Sequence, residues 1–387
     1  MHIIVAPDSF KGSLSAIEVA NAMERGIISV FPDAKVTKVP IADGGEGTVE
    51  ALVTATGGRM MYEKVMGPLG DIVEACWGIL GDNQTAVIEM AAASGLTLVS
   101  KDKLNPRIAT TFGTGQLIKR ALELGIRKLI IGIGGSATND GGAGMARALG
   151  VKFFDELNNE LPNGGAALKN LTKIDSKQLD PRLAKTTILV ACDVDNPLCG
   201  PRWASAVYGA QKGATSEMIE ELDQALKHYA EIAIQTTGRE VAERPGAGAA
   251  GGLGAGLLFF TPSQLKPGVQ IVLEATNFSE KVRLVDLVIT GEGCTDLQTA
   301  HGKAPVGVAK IAQDYNVPAV CLSGSLGPGY DDVLQQGIGG IMSIIPKPMT
   351  LEECMGSADE LIYAATTRLC RLVNIGITMS HSKDTLQ

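Results

Sequence analysis

The sequence predicts a two-domain α/β protein in which both ends of the chain build one parallel sheet and a mixed α/β domain is inserted between them. Three observations carry this reading. Strands alternate with helices through short glycine loops at the start of the chain, the pattern of parallel α/β architecture. The same alternation resumes near Leu284 after a middle of different character. A length of 387 residues also exceeds what one ordinary core holds. We therefore expect residues 1–60 and 284–379 to form a discontinuous Rossmann-like α/β/α domain and 61–283 the insertion, with 380–387 a polar, flexible tail.

Each element has a local reason. Ile3 to Ala6 is an apolar run stopped by Pro7 and Asp8, which reads as a strand and not as a signal peptide. Ser15 and Glu18 have capping-box spacing, and the helix they start carries apolar residues at 17, 20, 23 and 27 before Pro32. Val36 to Ile41 is the second strand, followed by the glycine corner 43–47 and a helix ending at Gly57 and Gly58. Glu74 to Leu80 and Gln84 to Met90 flank a Gly-Asp-Asn turn and predict a β-hairpin. Lys128 to Ile133 and Thr187 to Cys192 read as strands, and Thr215 to about Thr236 as a long amphipathic helix. Residues 245–258 form a stretch of small residues with six glycines. Val285 to Thr290, 318–323 and 340–345 read as strands and 303–314 as a helix; a capping box at Thr350 to Glu353 opens the last helix.

Composition excludes several functional classes. A net charge of −8, with the charges mixed along the chain, argues against a nucleic-acid or anionic-membrane partner. No run approaches the ~18–20 apolar residues needed to cross a bilayer. Seven scattered cysteines without a Cys-x-x-Cys pair read as reduced and cytoplasmic. Four histidines, at 2, 228, 301 and 381, are a poor stock for a zinc site or a catalytic triad. There is no Walker A sequence, kinase catalytic loop or Gly-x-Ser-x-Gly elbow.

The chemistry concentrates at strand ends. Gly132 to Ala137 satisfies Gly-x-Gly-x-x-Ala after a strand, with Asp155 about twenty residues on, so its spacing fits a dinucleotide loop. Thr138, Asn139 and Asp140 intervene before the helix, however, and put a carboxylate where phosphates would sit unless a cation lies between. A phosphate or metal-phosphate cradle suits this turn better, with purely structural glycines as the plain alternative. The segments 43–52 and 140–149 share Asp-Gly-Gly-x-Gly-x-x-x-Ala-Leu, each following an apolar strand. Acids at Asp8, Asp43, Glu46, Asp140, Asp193, Asp195, Glu292 and Asp296 stand at strand ends beside small polar residues. Any one alone is an ordinary turn or cap, but together they form a set suited to magnesium and phosphate. Lys11 adds a cation in the first strand-helix loop, completing the parts that phosphoryl transfer needs.

The chain carries, in order, the segments APDSFKGSLSA (6–16), PIADGGEGT (40–48), TAVIEMAAASGL (85–96), FGTGQLI (112–118), GIGGSATNDGG (132–142), ACDVDNPLCG (191–200), YGAQKGAT (208–215), ITGEG (289–293) and GKAPVGVA (302–309). Through them, over Ile3 to about Val373, it closely resembles the bacterial type-1 glycerate kinases. It implies an ATP- and Mg2+-dependent enzyme, with its active site in the cleft between domains, that phosphorylates glycerate at the 2-hydroxyl. The pathways implied are catabolism of glyoxylate or of sugar diacids such as galactarate and glucarate. The family commonly has arginine directly after the Gly-Glu-Gly corner, where this chain has Cys294.

On this basis we expect Gly134, Gly135, Ser136 and Thr138 to bind the ATP phosphates. Asp193 is the expected base, with Lys11, Asp43 and Glu292 as further catalytic candidates. Ser9, Lys11, Asp296, Gln298 and Thr299 are assigned to the substrate, and Asp43, Glu46 and Asp193 to the metal. Phosphorylation at the 3-hydroxyl and an NAD(P)-dependent hydroxy-acid oxidoreductase are the alternatives. The expected partners are small molecules, glycerate and ATP, with a homodimer left open.

Overall fold

The computed structural model describes residues 1–199, 205 and 208–384; Gly200, which closes one of the segments quoted above, and the last three residues of the tail lie outside them. In chain order the strands are β1 (His2–Pro7), β2 (Lys35–Lys38), β3 (Arg59–Met66), β4 (Ile72–Ile79), β5 (Thr85–Glu89), β6 (Lys128–Gly132), β7 (Lys152–Phe154), β8 (Lys173–Asp175), β9 (Thr187–Ala191), β10 (Ser263–Lys266), β11 (Leu287–Thr295), β12 (Ala319–Leu326) and β13 (Gly340–Ser343). The helices are α1 (Ala16–Ile28), α2 (Thr48–Thr56), α3 (Ala91–Ser94), α4 (Phe112–Glu123), α5 (Ala143–Ala148), α6 (Ser216–Thr237), α7 (Ala249–Phe260), α8 (Gly268–Ala275), α9 (Phe278–Val282), α10 (Leu297–Ala300), α11 (Ala304–Asp314), α12 (Leu351–Gly356) and α13 (Ala358–Asp384). The chain divides into two compact units, one of Met1–Ala42 with Val272–Gln387 and the other of Asp43–Ile271.

In the first unit five parallel strands lie in the order β13-β12-β11-β1-β2. The strand order reverses between β1 and β11, and in doubly wound sheets ligands bind outside the carboxyl ends at such a reversal. Ile3, Val5, Leu287, Ile289 and Leu322 pack with Val19, Met23 and Ile27 of α1 and Ile362 and Ala365 of α13. Helix α11 covers the opposite face, against β1, β11 and β12. The α1 capping box forms, with the Glu18 amide donating to Ser15 Oγ at 3.3 Å and the Ser15 amide to Glu18 Oε2 at 2.8 Å. Strand β2 is shorter than expected because Pro40 interrupts the ladder, although Val39 and Ile41 still donate to the carbonyls of Val5 and Pro7. The capping box at Thr350 also forms, but it opens only the short α12; Ser357 leaves helical geometry and α13 starts afresh at Ala358.

In the second unit the sheet order is β10-β9-β6-β5-β4-β3. Strands β5, β6, β9 and β10 are parallel, so Glu89, Gly132, Ala191 and Lys266 end along one edge. The expected hairpin pairs β4 with β5, Trp77 opposite Ile88, through a turn where Asn83 takes a φ of 55°. Strands β7 and β8 form a separate antiparallel pair. Helix α2, which the sequence reading grouped with the first domain, packs here: Val49 and Val53 lie against Gly78 of β4. The small-residue stretch is a packing surface. At the start of α7, Ala250, Gly251 and Gly252 take φ values of 55°, 65° and 86°. The backbone of Gly251 then lies directly on Thr138 and Asn139, an approach that any side chain would block.

Candidate active site

At the reversal point of the first unit, β1 runs into Asp8, Ser9 and Lys11. The Asp8 amide donates to the Gly291 carbonyl of β11 at 2.8 Å, and the Ser9 amide to Asp8 Oδ1 at 2.6 Å. A Cβ on Gly293 would lie 3.6 Å from the Lys11 amide nitrogen, so the end of β11 and the Lys11 loop are neighbours. Lys11 and Gln298 are exposed and Ser9 is half-buried. Glu292 is buried, and its Oε1 accepts from the hydroxyls of Thr299 at 2.7 Å and Thr295 at 3.0 Å. Burial raises its carboxyl above the usual range, against the pull of those hydroxyls and of Lys303. Asp296 caps α10 through the amides of Gln298 and Thr299. Thr299 has no exposed surface and also accepts from the Asp296 amide at 3.2 Å. Glu292, Asp296 and Thr299 therefore brace one turn, while Ser9, Lys11 and Gln298 present their side chains.

In the second unit the Asp43–Gly47 corner lies over the carboxyl ends of the parallel strands. Gly44 has a φ of 88° and packs directly against Ala191 of β9, and its carbonyl rests on Gly132 of β6. Gly45 in turn approaches Gly134 at 3.0 Å, measured from the Cβ that Gly134 lacks. Asp43 Oδ1 accepts the Gly45 amide at 3.1 Å, which shapes the corner as an Asx turn. The backbone of Gly268 packs on that of Asp43, and the Gly268 amide donates to Asp193 Oδ1 at 2.9 Å. Two acids far apart in sequence thus flank one glycine. Asp193 and Glu46 are exposed and Asp43 is half-buried.

The opening glycine turn divides into an exposed tip and a buried base. Gly135 is exposed and Gly134 half-buried, whereas Ser136 is 6% exposed and Thr138, Asn139 and Asp140 are fully buried. Asp140, left open above between metal ligand and cap, is a cap. It accepts from the amides of Thr111 at 2.8 Å, Gly142 at 3.1 Å and Gly144 at 3.2 Å, and from the Thr111 hydroxyl. The two echoing corners therefore meet with different duties, Asp43 near the surface and Asp140 inside. Helix α5 begins only at Ala143, so its N-terminus does not follow the third small residue as a dinucleotide loop requires.

The sequence reading missed Glu89, and it took Lys212 only as a cation that stands in for the missing arginine. Glu89, at the end of β5, accepts the Val49 amide of α2 at 2.7 Å. Burial pushes its carboxyl up to about 7, while the amides of Val49, Gly47 and Thr48 pull the other way. It ends an apolar strand as the other corner acids do, which was the available signal. Lys212 is buried, and its Nζ donates to the Thr138 carbonyl at 2.7 Å. Burial lowers its ammonium to about 7, against the attraction of Asp140. A lysine between Gln211 and Gly213 gives no hint of burial in sequence.

Among the described residues, no three His, Cys, Asp or Glu side chains gather as one metal site. No helix among them is long and apolar enough to cross a membrane.

Comparison with known proteins decides the family. The profile of the glycerate kinase family matches residues 3–374. The chain belongs to the glycerate kinase family. It is 51% identical over 383 residues to a glycerate kinase of Halalkalibacterium halodurans, covering 99% of each chain. It is 50% identical to the glycerate 2-kinase of Escherichia coli, covering 97% of this chain and 99% of that one. A solved structure of a candidate glycerate kinase 2 from Salmonella typhimurium matches with a TM-score of 0.87 at 47% identity, over 97% of this chain and 99% of that chain. As a member of the glycerate kinase family the protein is an enzyme, a kinase. Cys294 is exposed at the end of β11.

Proposed function

We propose that the protein is an ATP-dependent glycerate 2-kinase that converts (R)-glycerate and ATP to 2-phosphoglycerate and ADP. One observation carries the reading: Gly44 and Gly45 lay the Asp43 corner on the backbone of Gly132 and Gly134, and Gly268, packed on Asp43, donates its amide to the exposed Asp193 carboxylate. The tip offers peptide groups to the ATP phosphates, with Ser136 and Thr138 shaping it from below. Asp193 is the base. It takes the proton of the 2-hydroxyl as the new O–P bond forms and the bond from the γ-phosphorus to the β-bridging oxygen breaks, leaving ADP. Lys11 and Ser9 are assigned to the anionic substrate, with Gln298 as an exposed companion.

Magnesium neutralises phosphate charge when it arrives with the nucleotide, and it needs only one or two protein carboxylates. Asp43 and Glu46 fit that demand. Glu292, buried and held by two threonines, braces the turn that carries Gln298. Seven free cysteines agree with a cytoplasmic location, and sedimentation distinguishes a monomer from a homodimer. A role in glyoxylate or sugar-diacid catabolism rests on the family resemblance.

The test is ATP consumption with glycerate, followed by phosphorus NMR of the product. A phosphoryl group at the 2-position supports the reading. A 3-phosphoglycerate product, or NAD(P)H turnover without ATP use, overturns it.

A further inference from the structure

We propose that Lys212 is a positioning residue for the nucleotide loop, acting through the Thr138 carbonyl without touching ATP. The inference rests on reading Gly134 and Gly135 as the phosphate-binding tip. That tip is held on two sides. Before it, β6 ends at Gly132 within the sheet. At the tip's own base, the Leu96 amide donates to the Gly135 carbonyl at 2.9 Å and the Ala137 amide to the Ser94 carbonyl at 3.0 Å. After it, the chain turns inward, and there Lys212 fixes the Thr138 carbonyl at 2.7 Å. Gly251 packs against the same peptide. Between its exposed tip and its buried base the loop is thus tied from inside by a lysine that is 1% exposed.

Residue type matters here. A buried ammonium is costly to desolvate, and here the Thr138 carbonyl is the partner that receives its hydrogen bond. What an apolar side chain cannot do is bind the Thr138 carbonyl and fix the peptide's orientation. Asp140 supplies the opposite charge nearby, with its oxygens committed to Thr111, Gly142 and Gly144. Removing Lys212 alone would leave that carboxylate buried without a compensating cation. The effect on stability and the effect on the loop must therefore be separated.

The experiment compares Lys212→Met and Lys212→Arg with wild type by thermal unfolding, and by steady-state kinetics and titration with a non-hydrolysable ATP analogue well below each unfolding midpoint. Loss of one charged hydrogen bond at the loop raises the KM for ATP and the analogue Kd about ten- to a hundredfold in Lys212→Met. The KM for glycerate stays within about twofold, since no glycerate contact is removed. Lys212→Arg recovers part of the nucleotide affinity. Wild-type nucleotide constants in folded Lys212→Met overturn the proposal, as does a parallel rise in both KM values. If the wild-type enzyme does not phosphorylate glycerate, the assigned reaction fails, and the analogue Kd alone decides the role of Lys212.

Discussion

The Glu89 carboxylate accepts the Val49 amide at 2.7 Å, so the first turn of α2 is occupied by a carboxylate of the protein itself. In the proposed reading the phosphates go to the glycine tip, and this helix end, already faced by a carboxylate, is not their site. Glu89 also ties the corner that carries Asp43 to the end of β5.

That relationship has a pH signature. Burial raises the Glu89 carboxyl to about 7 from its ordinary 4.5. Between these values the native state binds more protons than the unfolded state, so the contribution of Glu89 to stability falls as pH rises through the window. Glu89→Gln removes this slope. Thermal unfolding from acidic to alkaline pH should show the variant equal to wild type below the window and more stable above it.

Asp193→Asn keeps the shape of the side chain but removes the proposed base. Turnover should fall about a hundred- to ten-thousandfold, with little change in the KM for ATP. Lys11→Ala should instead raise the KM for glycerate about tenfold or more, through loss of a charge-assisted contact. Steady-state assays with each substrate varied separate the two outcomes.

Gly44→Ala should destabilise the protein by about 2 kcal/mol, because a Cβ there meets Ala191 and φ lies in the left-handed region. Urea unfolding measures the loss. The KM for ATP should rise as well, since the corner rests on the Gly132–Gly134 backbone.

Cys294→Arg restores the side chain that the family commonly carries at an exposed position at the end of β11. If that guanidinium meets the anionic substrate or phosphate, its KM should drop about tenfold. An unchanged KM for both substrates would show that the cysteine costs nothing in this chain.

The fold was legible where local signals agree. The capping boxes at Ser15 and Thr350, the alternation of strands and glycine loops, and the Gly-Asp-Asn hairpin each specify their own neighbourhood. Thr350 shows the reach of such a signal: it fixes where α12 starts but not that Ser357 separates it from α13. The candidate site was legible as a stock of strand-end acids and glycines, not as an arrangement. Asp43 and Asp140 share one sequence pattern, yet one stands near the surface and the other lies inside, because burial depends on what the rest of the chain packs over each.

The sequence alone determined the α/β class, most element positions, the family and the residue types available for phosphoryl transfer. The elements follow from periodicity and caps that act over a few residues, and the family from a resemblance that runs over nearly the whole chain. Only the tertiary structure decided that Gly268 joins Asp193 to Asp43, that Glu89 fills the start of α2, and that Lys212 reaches Thr138 from inside. Each is a contact between segments distant in the chain. Such contacts depend on close backbone approach and on burial, which no local pattern encodes.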